Sequence, residues 1–129
     1  MKPTFRFATK KALDELTIEL NLTERIPEWE VVAGYSYTPA NPEDIDQYLS
    51  HYSLIDDEDK KFALMEMILQ ANVDQTNESK FMHYWQKVKP ILIRDYLIHE
   101  YTIHYWKEMT ESNFENCKLL SPLLQELVK

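Results

Sequence analysis

At 129 residues the chain has the length of one domain, and its composition, 44% hydrophobic and 28% charged, is that of a folded globular protein. A formal net charge of −8 disfavours binding to nucleic-acid phosphates and to anionic membrane surfaces. With one glycine, Gly34, and one cysteine, Cys117, the chain excludes glycine-rich phosphate loops, an intrachain disulfide and a cysteine-based zinc cage.

The N-terminal segment lacks the apolar run of a signal peptide, and no stretch approaches the roughly 18 apolar residues that a membrane-spanning helix needs. A lone cysteine fits a reducing compartment. We therefore expect a cytoplasmic protein that forms a single helical domain over residues 1–129, with neither a nucleic-acid nor a membrane partner.

The first predicted helix covers Lys10–Leu22, with Thr9 as its N-cap. Its apolar residues Leu13, Leu16 and Leu20 recur at three- and four-residue spacing, while acidic residues occupy the other face. This is the pattern of an amphipathic helix that buries one side.

The segment from Thr23 to Asn41 allows two interpretations. Alternation of apolar and polar residues over 29–37 is typical of a half-buried strand, and Phe5 and Phe7 could supply a partner. A short helix over Pro27–Ala33 competes, with Pro27 at its first position and Gly34 after its end. We favour the short helix slightly, because nothing else in the chain builds a sheet.

Strong start signals mark the middle helices. Asn41 followed by Pro42 predicts a helix start, and acidic residues follow in its first turn. Asp56 or Asp57 opens the next helix, from Glu58 to about Asn72. The acidic run Asp56–Asp59 complements the dipole of that helix, although it could also dock a basic partner.

Asn77 caps a long helical element that is rich in aromatic residues and holds three of the four histidines, and we expect this element to be central to the fold. Pro90 removes one backbone donor, so the sequence predicts that the helix kinks or breaks there, with helices at about 78–89 and 91–111. Ser121 and Pro122 predict the start of a last, short helix. The chain is thus predicted to be mainly α, a compact bundle or orthogonal array of five to six helices, with a possible short β-like segment near residues 29–37.

Two constellations in the long element could carry function. Glu100, His104 and Glu108 recur at four-residue spacing and share a helix face, with His99 beside them. Carboxylates and imidazoles together could bind a metal or transfer protons, although a solvated, charged face is the more common meaning of this pattern. We assign no catalytic residue, no metal and no cofactor from it.

The second constellation is aromatic. Such residues at helical spacing usually form core faces, but tyrosine and tryptophan also dominate protein interfaces. The group Ile98, Tyr105, Trp106 and Met109 reads as a core face. The candidate binding residues of the two constellations together are Tyr84, Trp85, His99, Glu100, Tyr101, His104, Tyr105 and Glu108.

Because the chain lacks every glycine-, cysteine- and serine-based catalytic signature, the sequence favours a non-catalytic protein-interaction module. Its partner would be another protein, as for an inhibitory or immunity-like protein, or a second copy in a homodimer. The alternative is an enzyme or small-ligand binder that uses the His/Glu/Tyr cluster after Pro90.

Overall fold

The structure, a computed structural model, describes Arg6 and residues 8–20, 41–107 and 115–128. All regular secondary structure in these ranges is helical, which confirms the predicted mainly α fold of five to six helices. The predicted β-like segment near residues 29–37 lies outside the described residues. The helices are α1 (Lys10–Glu19), α2 (Ile45–Tyr52, entered through a 3₁₀ turn at Pro42–Asp44), α3 (Glu58–Val73), α4 (Glu78–Arg94), α5 (Tyr96–Lys107) and α6 (Glu115–Gln125).

The chain divides into two compact units. One comprises Phe7–Ala71 and holds α1, α2 and most of α3. The other comprises Met1–Arg6 with Asn72–Lys129 and holds the end of α3 together with α4, α5 and α6. The expectation of one domain over residues 1–129 stays a prediction, and each unit is described here by itself.

The predicted N-caps are confirmed by hydrogen bonds. The hydroxyl of Thr9 accepts from the N–H of Ala12 at 3.1 Å, and the Asn41 side chain accepts from Glu43 at 3.0 Å. At the start of α3 it is Asp57 whose carboxylate accepts from the N–H of Lys60, at 3.0 Å. The Asn77 side chain accepts from the N–H of Lys80 at 2.8 Å and begins α4. Each bond satisfies a donor that the first helical turn leaves open.

Helix α1 ends at Glu19, three residues before the predicted end at Leu22. Leu20 is its C-cap and donates its backbone N–H to the carbonyl of Leu16 at 2.8 Å. The buried face of α1 consists of Ala12, Leu13 and Leu16, whereas Ile18 is 80% exposed.

The predicted division at Pro90 into helices over 78–89 and 91–111 is wrong. Helix α4 continues through Pro90 to Arg94, and the interruption falls at Asp95. Proline deprives the carbonyl of Gln86 of its helical donor, but Gln86 and Pro90 are both exposed, so water can bond that carbonyl. The loss of one bond on a wet face therefore does not end the helix.

The prediction that the last helix starts at Ser121 and Pro122 is also wrong, because α6 begins at Glu115 and runs through both residues. Ser121 is buried, and its hydroxyl donates to the carbonyl of Lys107 at the end of α5. Its side chain thus joins two helices, and α5 and α6 pack against each other.

The most buried helix is α3, not the aromatic element that we expected to be central. From Phe62 to Val73, every residue except Glu66 and Gln70 is buried. A helix that is apolar around its whole circumference is typical of the interior of a protein. The aromatic element forms α4 and α5, which bury one face and expose the other.

Candidate functional site

An exposed apolar stripe lies along α4 and α5. It consists of Ile93, Leu97, Tyr101 and Tyr105, and we call it the α4–α5 stripe. Ile93 is 51% exposed, Leu97 85% and Tyr105 50%, while Tyr101 is half-buried. In the described part of the chain, the only other exposed large apolar side chains are two that stand apart, Ile18 and Leu54. Contiguous exposed apolar groups mark interaction sites, whereas single ones are ordinary.

The four-residue spacing of the stripe runs across the junction between α4 and α5, where the backbone of Asp95 alone departs from helical geometry, with φ −105° and ψ 34°. The N–H of Asp95 donates to the Ile91 carbonyl at 2.9 Å, and the Asp95 carbonyl accepts from His99 at 3.3 Å. These are the i to i−4 bonds of an α-helix on both sides of the junction. The buried residues accordingly keep three- and four-residue spacing across it: Phe81, Trp85, Val88, Leu92, Tyr96, His99, Ile103 and Trp106.

Ring contacts order the C-terminal half of the stripe. The rings of Tyr101 and Tyr105 lie 6.5 Å apart, and the ring of Tyr105 meets that of Trp106 edge to face at 5.9 Å. Trp106 is only 9% exposed, so it anchors the exposed Tyr105 to the core. Rings held in this way lose less conformational freedom when a partner covers them.

The spacing of Tyr105 with Ile98 and Trp106 predicted a core face. The structure shows instead that Tyr105 does not lie on one. The side chain of Trp106 turns inward, whereas Tyr105 is half exposed. Neighbouring residues on a helix point about 100° apart, so Trp106 can face the core while Tyr105 faces solvent.

Trp85 and Tyr84 differ in the same way. Trp85 is 2% exposed and belongs to the core of α4. Tyr84 is half-buried; its ring contacts His83 edge to face at 5.0 Å, and the ammonium group of Lys87 lies 5.6 Å from its centroid. Of these two predicted binding residues, only Tyr84 can be reached from solvent.

The His/Glu constellation is spread around α5. His99 is fully buried, while Glu100 and His104 are half-buried, and Glu108 lies outside the described residues. Across the described ranges, no group of three or more histidine, cysteine, aspartate and glutamate side chains is placed to hold a metal ion. The described members of the predicted column therefore do not assemble into a metal centre.

Basic side chains recur along α4, most of them before the stripe begins at Ile93. Between Ser79 and Arg94 the chain has four cations and no acid: Lys80, Lys87, Lys89 and Arg94. Arg94 is 63% exposed, and its guanidinium group contacts the Asp95 carboxylate at 3.1 Å. In a chain of net charge −8, this stretch is locally positive.

The other unit contains a charged cluster that connects three helices. The Glu19 carboxylate of α1 contacts the imidazole of His51 on α2 at 2.7 Å and the ammonium group of Lys60 on α3 at 2.6 Å. Glu15 lies 4.0 Å from the same ammonium group. The hydrogen bond that Lys60 donates to Glu19 lowers the pKa of Glu19, and the same bond raises the pKa of Lys60. The cluster is a structural network, because each charge already has a protein partner.

A second titratable group in that unit stands out by its environment. Glu66 lies in the middle of α3, between Met65 and Met67, which are both buried. Burial disfavours the ionised carboxylate and raises the pKa of Glu66 from 4.5 to about 8. At neutral pH this carboxyl group is protonated.

Sequence reasoning missed two members of the stripe, Ile93 and Leu97. Their four-residue spacing to Tyr101 and Tyr105 was visible in the predicted helix over 91–111, but aliphatic residues at helical spacing usually belong to a core face, and their exposure of 51% and 85% is known only from the structure. The Glu19–Lys60 contact joins residues 41 positions apart, so no local pattern could reveal it.

The comparisons with known proteins give no relative from which a function could be inferred. No protein-family model matches the chain, and no curated protein or solved structure matches it significantly. None of the described helices combines the length and the apolar character that crossing a membrane requires.

Proposed function

We propose that this protein is a non-catalytic protein-interaction module that binds its partner through the α4–α5 stripe. The observation that carries the proposal is the concentration of exposed apolar side chains: of the five large ones in the described part of the chain, Ile93, Leu97 and Tyr105 follow one another along α4 and α5. Such a module acts by occupying a surface, as inhibitory and immunity-type proteins do, and it needs no chemistry of its own.

The free energy for binding would come from removing these side chains from water. Burying one leucine side chain completely is worth about 1.5–3 kcal/mol, and Leu97 is 85% exposed. Tyrosine residues are frequent among the few that dominate binding energy, and the ring contacts of Tyr101 and Tyr105 hold them in place before binding.

Site-specific photo-crosslinking tests this proposal. A photoreactive amino acid replaces Leu97 in the protein produced in its native cells, and the matched control carries it at Ile18, which is 80% exposed on α1 and isolated. We expect protein adducts from position 97, their loss when Tyr105→Lys is added, and little adduct from position 18. Equal labelling at both positions, or none at position 97, would contradict an interaction role for the stripe.

A further inference from the structure

We infer that the partner of the α4–α5 stripe is an acidic segment of another protein, whose carboxylates bind the basic half of α4 and whose apolar side chains cover the stripe. This inference rests on the proposed function, because it gives the chemistry of the partner that the same surface binds. The basic half of α4 consists of Lys80, Lys87 and Lys89, which precede the stripe. Arg94 is left out of it, because its guanidinium group already pairs with Asp95.

Charge is distributed unevenly between the two compact units. Phe7–Ala71 has five cations and fourteen acidic residues, whereas Met1–Arg6 with Asn72–Lys129 has nine cations and eight acidic residues. The stripe and the basic half of α4 both belong to the second unit. Exposed charges that are farther apart than the Debye length of about 8 Å interact little at physiological ionic strength. An acidic partner therefore responds to the lysines next to the stripe more than to the net charge of −8 of the whole chain.

The lysines of α4 have a different environment from that of Lys60 in the other unit. Lys60 contacts the Glu19 carboxylate at 2.6 Å, so its charge is compensated within the protein. The ammonium group of Lys87 instead lies 5.6 Å from the centroid of the Tyr84 ring, a contact that does not neutralise the cation. Lys80 and Lys87 are both exposed, so a carboxylate of a partner can reach them.

The distance between the basic and apolar groups sets the size of the partner's segment. Lys87 and Ile93 lie on the same helix six residues apart, which is about 9 Å along its axis. The residues from Lys80 to Tyr105 correspond to about 38 Å of helix at 1.5 Å per residue. A helical segment of about 25 residues spans this length, with acidic residues toward one end and apolar residues toward the other.

Two other occupants fit this surface less well. Nucleic acid offers phosphates to the lysines, but its bases stack on aromatic rings rather than on aliphatic side chains such as Ile93 and Leu97. A second copy of this chain offers residues 41–59, which include seven acidic residues and no lysine or arginine. The one exposed large apolar side chain that the structure describes in this segment is Leu54, which is too little to cover the four residues of the stripe.

Selection from a peptide library measures the chemistry of the preferred partner. A displayed library of random peptides of about 25 residues is selected on the immobilised full-length protein, and peptides that also bind the Leu97→Lys variant are removed. We expect the remaining peptides to be enriched in both acidic and large apolar residues relative to the unselected library. Remaining peptides that are basic, or that have the average charge of the library, would overturn the acidic partner.

Charge variants test whether the basic half of α4 causes this preference. Lys80→Glu combined with Lys87→Glu should weaken binding of the most enriched peptide at least about tenfold, measured by fluorescence anisotropy. The matched control, Lys10→Glu with Lys11→Glu, makes the same change in net charge at two exposed residues of α1 and should alter binding by less than about twofold. Equal weakening by both pairs would mean that only the net charge of the chain matters and would overturn the inference.

The remaining outcomes separate this inference from the proposed function. Peptides that require Leu97 but bind the Lys80 and Lys87 double variant unchanged would keep the interaction role and overturn the acidic partner. If no peptide requires Leu97 although position 97 forms protein adducts in cells, the partner is not a linear segment, and this inference alone fails. If there are neither such peptides nor adducts, both fail. Tighter binding of an oligothymidine of about 20 nucleotides, or tighter self-association, would replace the acidic segment as the occupant.

Discussion

Replacing Glu66 with glutamine should stabilise the protein above neutral pH. Glu66 has a pKa raised by burial to about 8, so the folded protein holds a proton that the unfolded chain releases near pH 4.5. Between these values the folded state binds one more proton than the unfolded state. The free energy of unfolding therefore falls by about 1.4 kcal/mol for each pH unit across this window. Glutamine cannot ionise, so the free energy of unfolding of the variant does not fall in this way as the pH rises.

The size of the effect follows from the two pKa values. Their difference, 4.5 against about 8, corresponds to about 5 kcal/mol at about 1.4 kcal/mol for each pKa unit. This is an upper limit, because water and side chains rearrange around a newly formed charge. We expect Glu66→Gln to exceed the wild-type protein by about 2–5 kcal/mol at pH 8.5, and to differ from it by about 1 kcal/mol or less at pH 5.

Urea denaturation between about pH 5 and pH 9 measures this difference. Every other titratable group is common to both proteins, so its contribution cancels when one curve is subtracted from the other. The matched control is Glu58→Gln, which removes an exposed carboxylate from the first turn of the same helix. The difference in the free energy of unfolding between this control and the wild-type protein should not grow as the pH rises.

A difference between Glu66→Gln and the wild-type protein that stays constant from pH 5 to pH 9 would refute the reasoning. It would mean that Glu66 has the same proton affinity in the folded and unfolded states. A difference that grows as the pH falls would reverse the sign and indicate that the folded protein stabilises the ionised carboxylate.

The other variants test individual contacts, all by chemical denaturation. Trp85→Ala should lower the free energy of unfolding by about 3–5 kcal/mol, because Trp85 is 2% exposed. Tyr105→Ala, at a half-exposed residue, should lower it by about 1 kcal/mol or less. Similar losses for the two variants would contradict the burial of Trp85 and the exposure of Tyr105. Asn77→Ala should cost about 1 kcal/mol through loss of the α4 N-cap, and no loss would mean that water replaces the cap. Lys60→Met should lower the free energy of unfolding by about 1 kcal/mol or less, and this difference from the wild-type protein should disappear in about 1 M salt. The stabilisation that Glu19 contributes should persist above pH 4.5 and disappear as the pH falls through the lowered pKa of its carboxyl group. Stabilisation that is retained in acid would exclude the ion pair as its source.

The N-termini of α1 to α4 could be predicted because their signals are local. The side chains of Thr9, Asn41 and Asn77 bond backbone donors two or three residues away, so the sequence alone contains both partners. The helix ends were less predictable. Whether Pro90 ends a helix depends on the solvent around the carbonyl of Gln86, and the role of Ser121 depends on a carbonyl in another helix.

The site was predictable only in part for the same reason. Helical spacing identified Tyr101 and Tyr105 as candidates, but burial decides which face reaches solvent, and burial is set by packing between elements. The sequence therefore placed Trp85 and His99 among the candidates, although both lie inside the fold. Ile93 and Leu97 resemble ordinary core residues until their exposure is known.

The burial of α3 around its whole circumference also shapes how the chain tolerates change. In a one-sided helix, tolerant positions recur at every turn, so a scan of all substitutions alternates between permissive and restrictive positions. From Phe62 to Val73 such a scan should instead show a continuous restrictive block, relieved only at Glu66 and Gln70. Random mutation would therefore often disable this protein through α3.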